Sequence, residues 1–195
     1  TYLKSKNKGL DKEFKEIRIG ASIDACNEVF DYQRAPAKWT QVYENLKKLE
    51  SHRDQINLKC WYAFTITPFN VFHFPEFMKW KLEESDLTLF NPEHSHRPLV
   101  SYHMCHSPKY YNIKVLPLHI KQMVSEHYTE YRKWIMASDH IDNVKKYFVQ
   151  HLNSVEKFMH SEDYSEEWLD EFVSITNKLD VIRKQNVLDI VPQFE

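Results

Sequence analysis

Glycine is almost missing from this chain: two residues in 195, where a usual share is about 7%. That scarcity excludes glycine-rich linkers, collagen-like repeats and phosphate-cradling loops, and neither G-x-G-x-x-G nor G-x-x-x-x-G-K-S/T occurs. Cysteine is scarce as well. Cys26, Cys60 and Cys105 are odd in number, widely spaced and free of any C-x-x-C pair, which argues against a disulfide framework and for a reducing compartment. Local spacing also brings no three thiolates together. No apolar run approaches the about 20 residues of a membrane span, and the first residues lack the apolar core of a signal peptide. A formal charge of −2 gives no broad electrostatic reason to expect nucleic acid. These absences predict a soluble, cytoplasmic protein with neither nucleic acid nor membrane as partner. The chain starts at Thr1 rather than methionine, so either it was processed or something upstream is absent.

What is present is a bulky core, with 42% hydrophobic and 14% aromatic residues. Residues 16–24 (EIRIGASID) alternate apolar and polar positions through Ile17, Ile19, Ala21 and Ile23, a strand ending on an acid. A polar loop is expected over 25–37. Trp39, Val42, Leu46 and Leu49 recur at helical spacing, and 57–67 (NLKCWYAFTIT) is aromatic and β-branched, hence a second strand stopped by Pro68. A helix is expected over 75–84, and the short apolar stretch 87–90 reads as a third strand. Strand, helix, strand, helix, strand at this spacing argues for βαβ units, a parallel sheet and an α/β class. Three such strands make an incomplete layer with an unprotected edge near Ile17–Ile23. The region 92–117 reads as irregular, with four histidines. Helices are expected over 118–137, 139–159 and 165–179. The division is 1–91, 92–117 and 118–195.

Ser22-Ile23-Asp24 stands at the carboxyl end of the first strand, where parallel α/β proteins bind ligands. A hydroxyl and a carboxylate two residues apart suit a ribose; the guanidinium of Arg34 suits a carboxylate or phosphate. The plainer reading is that Ser22 and Asp24 end a strand and Arg34 is solvated.

The block GASIDACNEVFDYQRAPAKWTQVYENLKKLES (20–51) resembles the fourth strand, loop and fourth helix of a radical S-adenosylmethionine (SAM) barrel, closest to members with a shortened, twitch-type auxiliary region. The matching pieces are Ser22-Ile23-Asp24, Asp31-Tyr32-Gln33-Arg34, Lys38-Trp39 and Asn45-Leu46-Lys47-Lys48-Leu49. Thr65-Ile66-Thr67 with Asn70 resembles the fifth strand, and 179–192 resembles the closing segment. The resemblance implies the C-terminal half of a partial (β/α)6 radical SAM barrel followed by a mainly helical C-terminal extension. It implies Ser22 at the SAM ribose, Arg34 at the SAM carboxylate, Asp24 ordering the strand end, and Thr65 and Thr67 lining the pocket; on spacing alone both threonines are ordinary strand residues. It also implies a 4Fe–4S cluster, yet the C-x-x-x-C-x-x-C motif that holds one is not in these residues. The ligands are expected upstream, and the chain alone is expected to be inactive. The substrate class implied is a peptide or small molecule.

His94, His96, His103, Cys105 and His106 could chelate a soft transition metal, though as spaced they match no common zinc pattern, and surface histidines are the plainer reading. Tyr128, Tyr131, Trp134, Tyr147, Phe148, Phe158, Trp168 and Phe172 fall at helical spacing and read as core. Cys26 shows no base nearby in sequence. Two other classes stay open: a non-catalytic α/β module that binds a protein partner, and a histidine-rich metal-binding domain.

Overall fold

A computed structural model of the chain describes residues 15–53, 57–90 and 99–195. The sheet is α/β in kind: β1 (Ile17–Ser22) pairs in parallel with β2 (Leu58–Ile66), and β2 pairs in parallel with β3 (Ser101–Met104), in the order β1-β2-β3. Among the described residues, β1 is an edge. The register sets Ser22 beside Ala63 and Ala63 beside Ser101.

Among the described residues there are six α-helices: α1 (Asn27–Gln33), α2 (Trp39–Glu50), α3 (His73–Glu83), α4 (Leu118–Ala137), α5 (Asp142–Met159) and α6 (Ser165–Arg183). The loop expected at 25–37 therefore contains α1. The third strand is also corrected. Thr88–Phe90 is a 3-10 turn, and β3 lies within the stretch read as irregular. The apolar run was real but serves a different purpose, since Phe90 is fully buried and stacks on Tyr62 of β2 with ring centroids 4.4 Å apart.

Strand alternation divides the sheet into two unlike faces. Ile17, Ile19, Ala21, Leu58, Cys60, Tyr62, Phe64, Ile66, Tyr102 and Met104 join one apolar core with the helices. On the other face Arg18, Gly20 and Ser22 are exposed and Lys59, Trp61, Ala63 and Thr65 half-buried. Trp61 and Ala63 stand outside the core. Parallel sheets are normally covered on both faces; among the described residues this second face is exposed along β1 and half-buried along β2.

The C-terminal helices close the covered side. Phe148, Leu152, Val155 and Met159 recur along α5 and are fully buried, each contributing about 1.5–3 kcal/mol by transfer from water. Tyr128 of α4, also fully buried, donates its hydroxyl proton to the Val71 carbonyl at 2.8 Å. One apolar core thus runs continuously from Ile23 to Val191.

Candidate functional site

At the carboxyl end of the sheet, the chain leaving β1 turns inward at Ile23, whose N–H donates to the Ala63 carbonyl at 3.0 Å. Asp24 is buried there at 7% exposure. One carboxylate oxygen accepts the Thr65 backbone N–H at 2.7 Å, and the other forms an ion pair with Arg34 Nη2. Asn70, fully buried, ties the two strand ends together. Its Nδ2 donates to the Asp24 carbonyl at 3.0 Å and to the Thr65 carbonyl at 2.8 Å, while its Oδ1 accepts the Thr67 N–H at 2.8 Å. Gln33, at the end of α1, donates to Thr67 Oγ1 at 2.9 Å.

Asp24, Arg34, Thr65 and Thr67 therefore belong to one hydrogen-bonded assembly, but not in equal roles. Asp24 is fully engaged and holds Arg34. Thr65 joins Asp24 through its backbone, while its alternation places its side chain on the same bare face as Ser22. Thr67 is held between Gln33 and Asn70. Ser22 stays exposed at the strand end, and the Arg34 side chain keeps 38% of its surface exposed. Ser22 is thus the exposed member of the group, and Arg34, Thr65 and Thr67 are half-buried. Asn70, named in sequence only as part of the fifth-strand resemblance, is the organising residue here, two residues past the strand-stopping Pro68.

The far end of the chain closes over this region. Tyr32 of α1 donates to Asp180 of α6 at 2.7 Å, Arg183 donates to the Tyr32 carbonyl at 3.3 Å, and Gln185 donates to the Asp31 carbonyl at 3.4 Å. Asp180 also accepts the Val187 N–H at 2.8 Å. Burial and the bond to Asp180 push the Tyr32 phenol up, so it remains a donor. Gln33 Oε1, Arg34 Nε and Gln185 Oε1 are buried without a protein partner in this junction. Such orphaned atoms are uncommon in folded proteins.

A second network supplies the base that Cys26 lacked in sequence. Cys26 Sγ lies 3.3 Å from His73 Nε2, 47 residues away, and the same nitrogen accepts the Cys26 N–H at 3.2 Å. His73 Nδ1 meets Glu76 at 2.8 Å, and Glu76 also meets His127 of α4 at 3.4 Å. Burial by itself raises Glu76, but the bonds from His127 and His73 outweigh it and bring it down to about 2. The order thiol, imidazole, carboxylate is that of an activated nucleophile. Here Cys26 is 2% exposed and burial pushes its thiol up to about 12, so the network fastens the turn after β1 to α3 and α4.

The thiols do not fit an iron–sulfur cluster. Burial pushes Cys60 up to about 11 and also raises Cys105, whereas cluster ligation needs thiolates brought together. Cys60 points into the helix-covered core, and Cys105 Sγ contacts the Ser107 carbonyl at 3.5 Å. Among the described residues no group of three or more His, Cys, Asp or Glu is placed to hold a metal ion. His94 and His96 lie outside the described residues; His103 is exposed on β3, and the His106 ring packs edge-on against Phe158 at 5.4 Å. No described helix is long and apolar enough to cross a membrane. Comparison of the chain with protein-family models, with curated proteins and with solved structures gave no match.

Proposed function

We propose that this chain is the SAM-binding half of a radical SAM enzyme, with Ser22 and Arg34 as its ligand contacts. The observation that carries the reading is the strand-end assembly: Asp24, two residues past the exposed Ser22, pairs with the Arg34 guanidinium at the carboxyl end of a parallel sheet of which β1 is an edge among the described residues. Arg34 meets the amino-acid carboxylate of SAM, and Ser22 with Thr65 borders its ribose on the bare face. Asp24, Thr67 and Asn70 position these groups rather than touch the ligand. The three cysteines of these 195 residues do not fit a 4Fe–4S cluster; held by other residues, such a cluster would supply the reducing electron that SAM cleavage needs. The substrate is a peptide or small molecule.

Equilibrium dialysis of the chain with labelled SAM tests the reading. Arg34→Gln is expected to weaken binding about tenfold or more, the scale of a lost charge-assisted hydrogen bond, and Ser22→Ala by a few-fold. SAM binding that is undetectable at millimolar ligand, or equal in wild type and Arg34→Gln, refutes it. A second reading, a partner-binding module without catalysis, draws on Val181 and Ile182 of α6, which are 80% and 76% exposed. Absence of SAM binding together with a partner lost in Val181→Ser/Ile182→Ser favours that alternative.

A further inference from the structure

A cleft of about 530 Å³ lies where the end of α6 meets the loop after α1, and its charged lining is Asp31, Lys38, Arg183 and Lys184. The single carboxylate is already satisfied. Asp31 Oδ2 lies 3.0 Å from Lys38 Nζ, and Oδ1 accepts the Trp39 N–H at 2.6 Å. Arg183 and Lys184 form no ion pair among the described residues, although Arg183 Nη1 donates to the Tyr32 carbonyl. The cleft thus gathers three cations against one spoken-for carboxylate, on a chain whose formal charge is −2. The cations are held in place by backbone. Lys184 ends α6 in the left-handed region (φ 54°) with its N–H bonded to the Asp180 carbonyl, and Gln185 is tied to the Asp31 carbonyl.

We infer that this cleft is a binding site for an oxyanion, the phosphate or carboxylate group of a small molecule. An arginine fork beside ammonium groups is the arrangement that recognises such groups, and the volume admits a small ligand rather than a folded partner. The cleft shares its loop with Arg34 but does not include that residue, so the site stands whether or not Arg34 binds SAM. Because Lys38, Arg183 and Lys184 all reach solvent, affinity falls in the millimolar range and weakens with salt.

Amide NMR of the labelled 195-residue chain, titrated with sodium phosphate and separately with sodium succinate against sodium chloride of equal ionic strength, tests the site. Saturable shifts at Lys38, Lys184 and Gln185 with either oxyanion support it, and the one that binds names the chemistry. Lys184→Gln is expected to weaken binding by roughly threefold, the scale of one exposed charge, and Arg183→Lys less than Arg183→Gln. Among the described residues the Lys184 side chain enters no hydrogen bond or ion pair, so that variant tests the site even if Arg183→Gln disturbs the Tyr32 junction. Equal shifts with chloride, or phosphate binding that persists unchanged in Lys184→Gln and in the double Arg183→Gln/Lys184→Gln variant, overturns it.

Discussion

Lys81 of α3 is 3% exposed and has no carboxylate partner among the described residues; its ammonium donates to the Leu99 carbonyl and lies 5.5 Å from the centroid of the Tyr62 ring. Burial lowers it from 10.5 to about 7. The unfolded chain therefore binds a proton at this position over an interval in which the folded chain does not. Above 10.5 both states are neutral and the residue adds no pH dependence. As pH falls from 10.5 to 7 the unfolded state gains the proton first, so stability drops; below 7 both states are charged and the penalty is constant. The full drop from 10.5 to about 7 corresponds to about 5 kcal/mol. Lys81→Met removes this dependence. It also leaves the Leu99 carbonyl without its donor, a cost of about 1–3 kcal/mol that does not vary with pH. Urea unfolding of both proteins at steps from pH 6 to 10 separates the two effects. The stability of Lys81→Met relative to wild type should rise as pH falls from 10 to 7 and then level off. A difference that stays flat across that range refutes the reasoning, whatever its sign.

Asn70→Ala removes the side-chain hydrogen bonds to Asp24, Thr65 and Thr67 at the ends of β1 and β2, with an expected loss of about 3 kcal/mol in chemical denaturation. Gly20→Ala places a Cβ 2.9 Å from the Trp61 indole; overpacking should cost about 1–3 kcal/mol, and adding Trp61→Phe should recover part of it in a double-mutant cycle. Glu76, held at about 2, contributes stability that is complete above its unfolded value and is lost as pH falls from 4.5 toward 2. Glu76→Gln should thus flatten the acid limb of the stability curve while lowering stability at pH 7, measured by thermal melts from pH 2 to 7.

The helical third was legible because its apolar spacing is long and regular: the expected 118–137 coincides with α4, and Ile120, Val124, Tyr128 and Ile135 form its buried stripe. β1 and β2 were legible because alternation along them survives in the structure as one covered and one bare face. β3 was not, since its four residues, Ser101–Met104, owe their place to ladder bonds with Ala63–Ile66 rather than to apolar content. Thr88–Phe90 misled for the opposite reason, being apolar in order to fill space beside Tyr62. At the candidate site, Ser22, Asp24 and Arg34 could be named from a strand end. The pairing of Asp24 with both Arg34 and the Thr65 N–H could not, because it depends on the register between β1 and β2. His73 behind Cys26 was hidden by its 47-residue separation.

The bonds from Asp180, Arg183 and Gln185 to Tyr32 and Asp31 span about 150 positions of sequence. Contacts of such long range are slow to form, because the loop they close must lose its freedom first. During synthesis from the N-terminus, the loop that carries Arg34 emerges early yet remains without its final support until the last helix is complete. The loop after α1 is thus among the last parts of this molecule to mature, and a chain arrested before residue 180 would carry Asp31 and Tyr32 without the bonds that fasten them to the last helix.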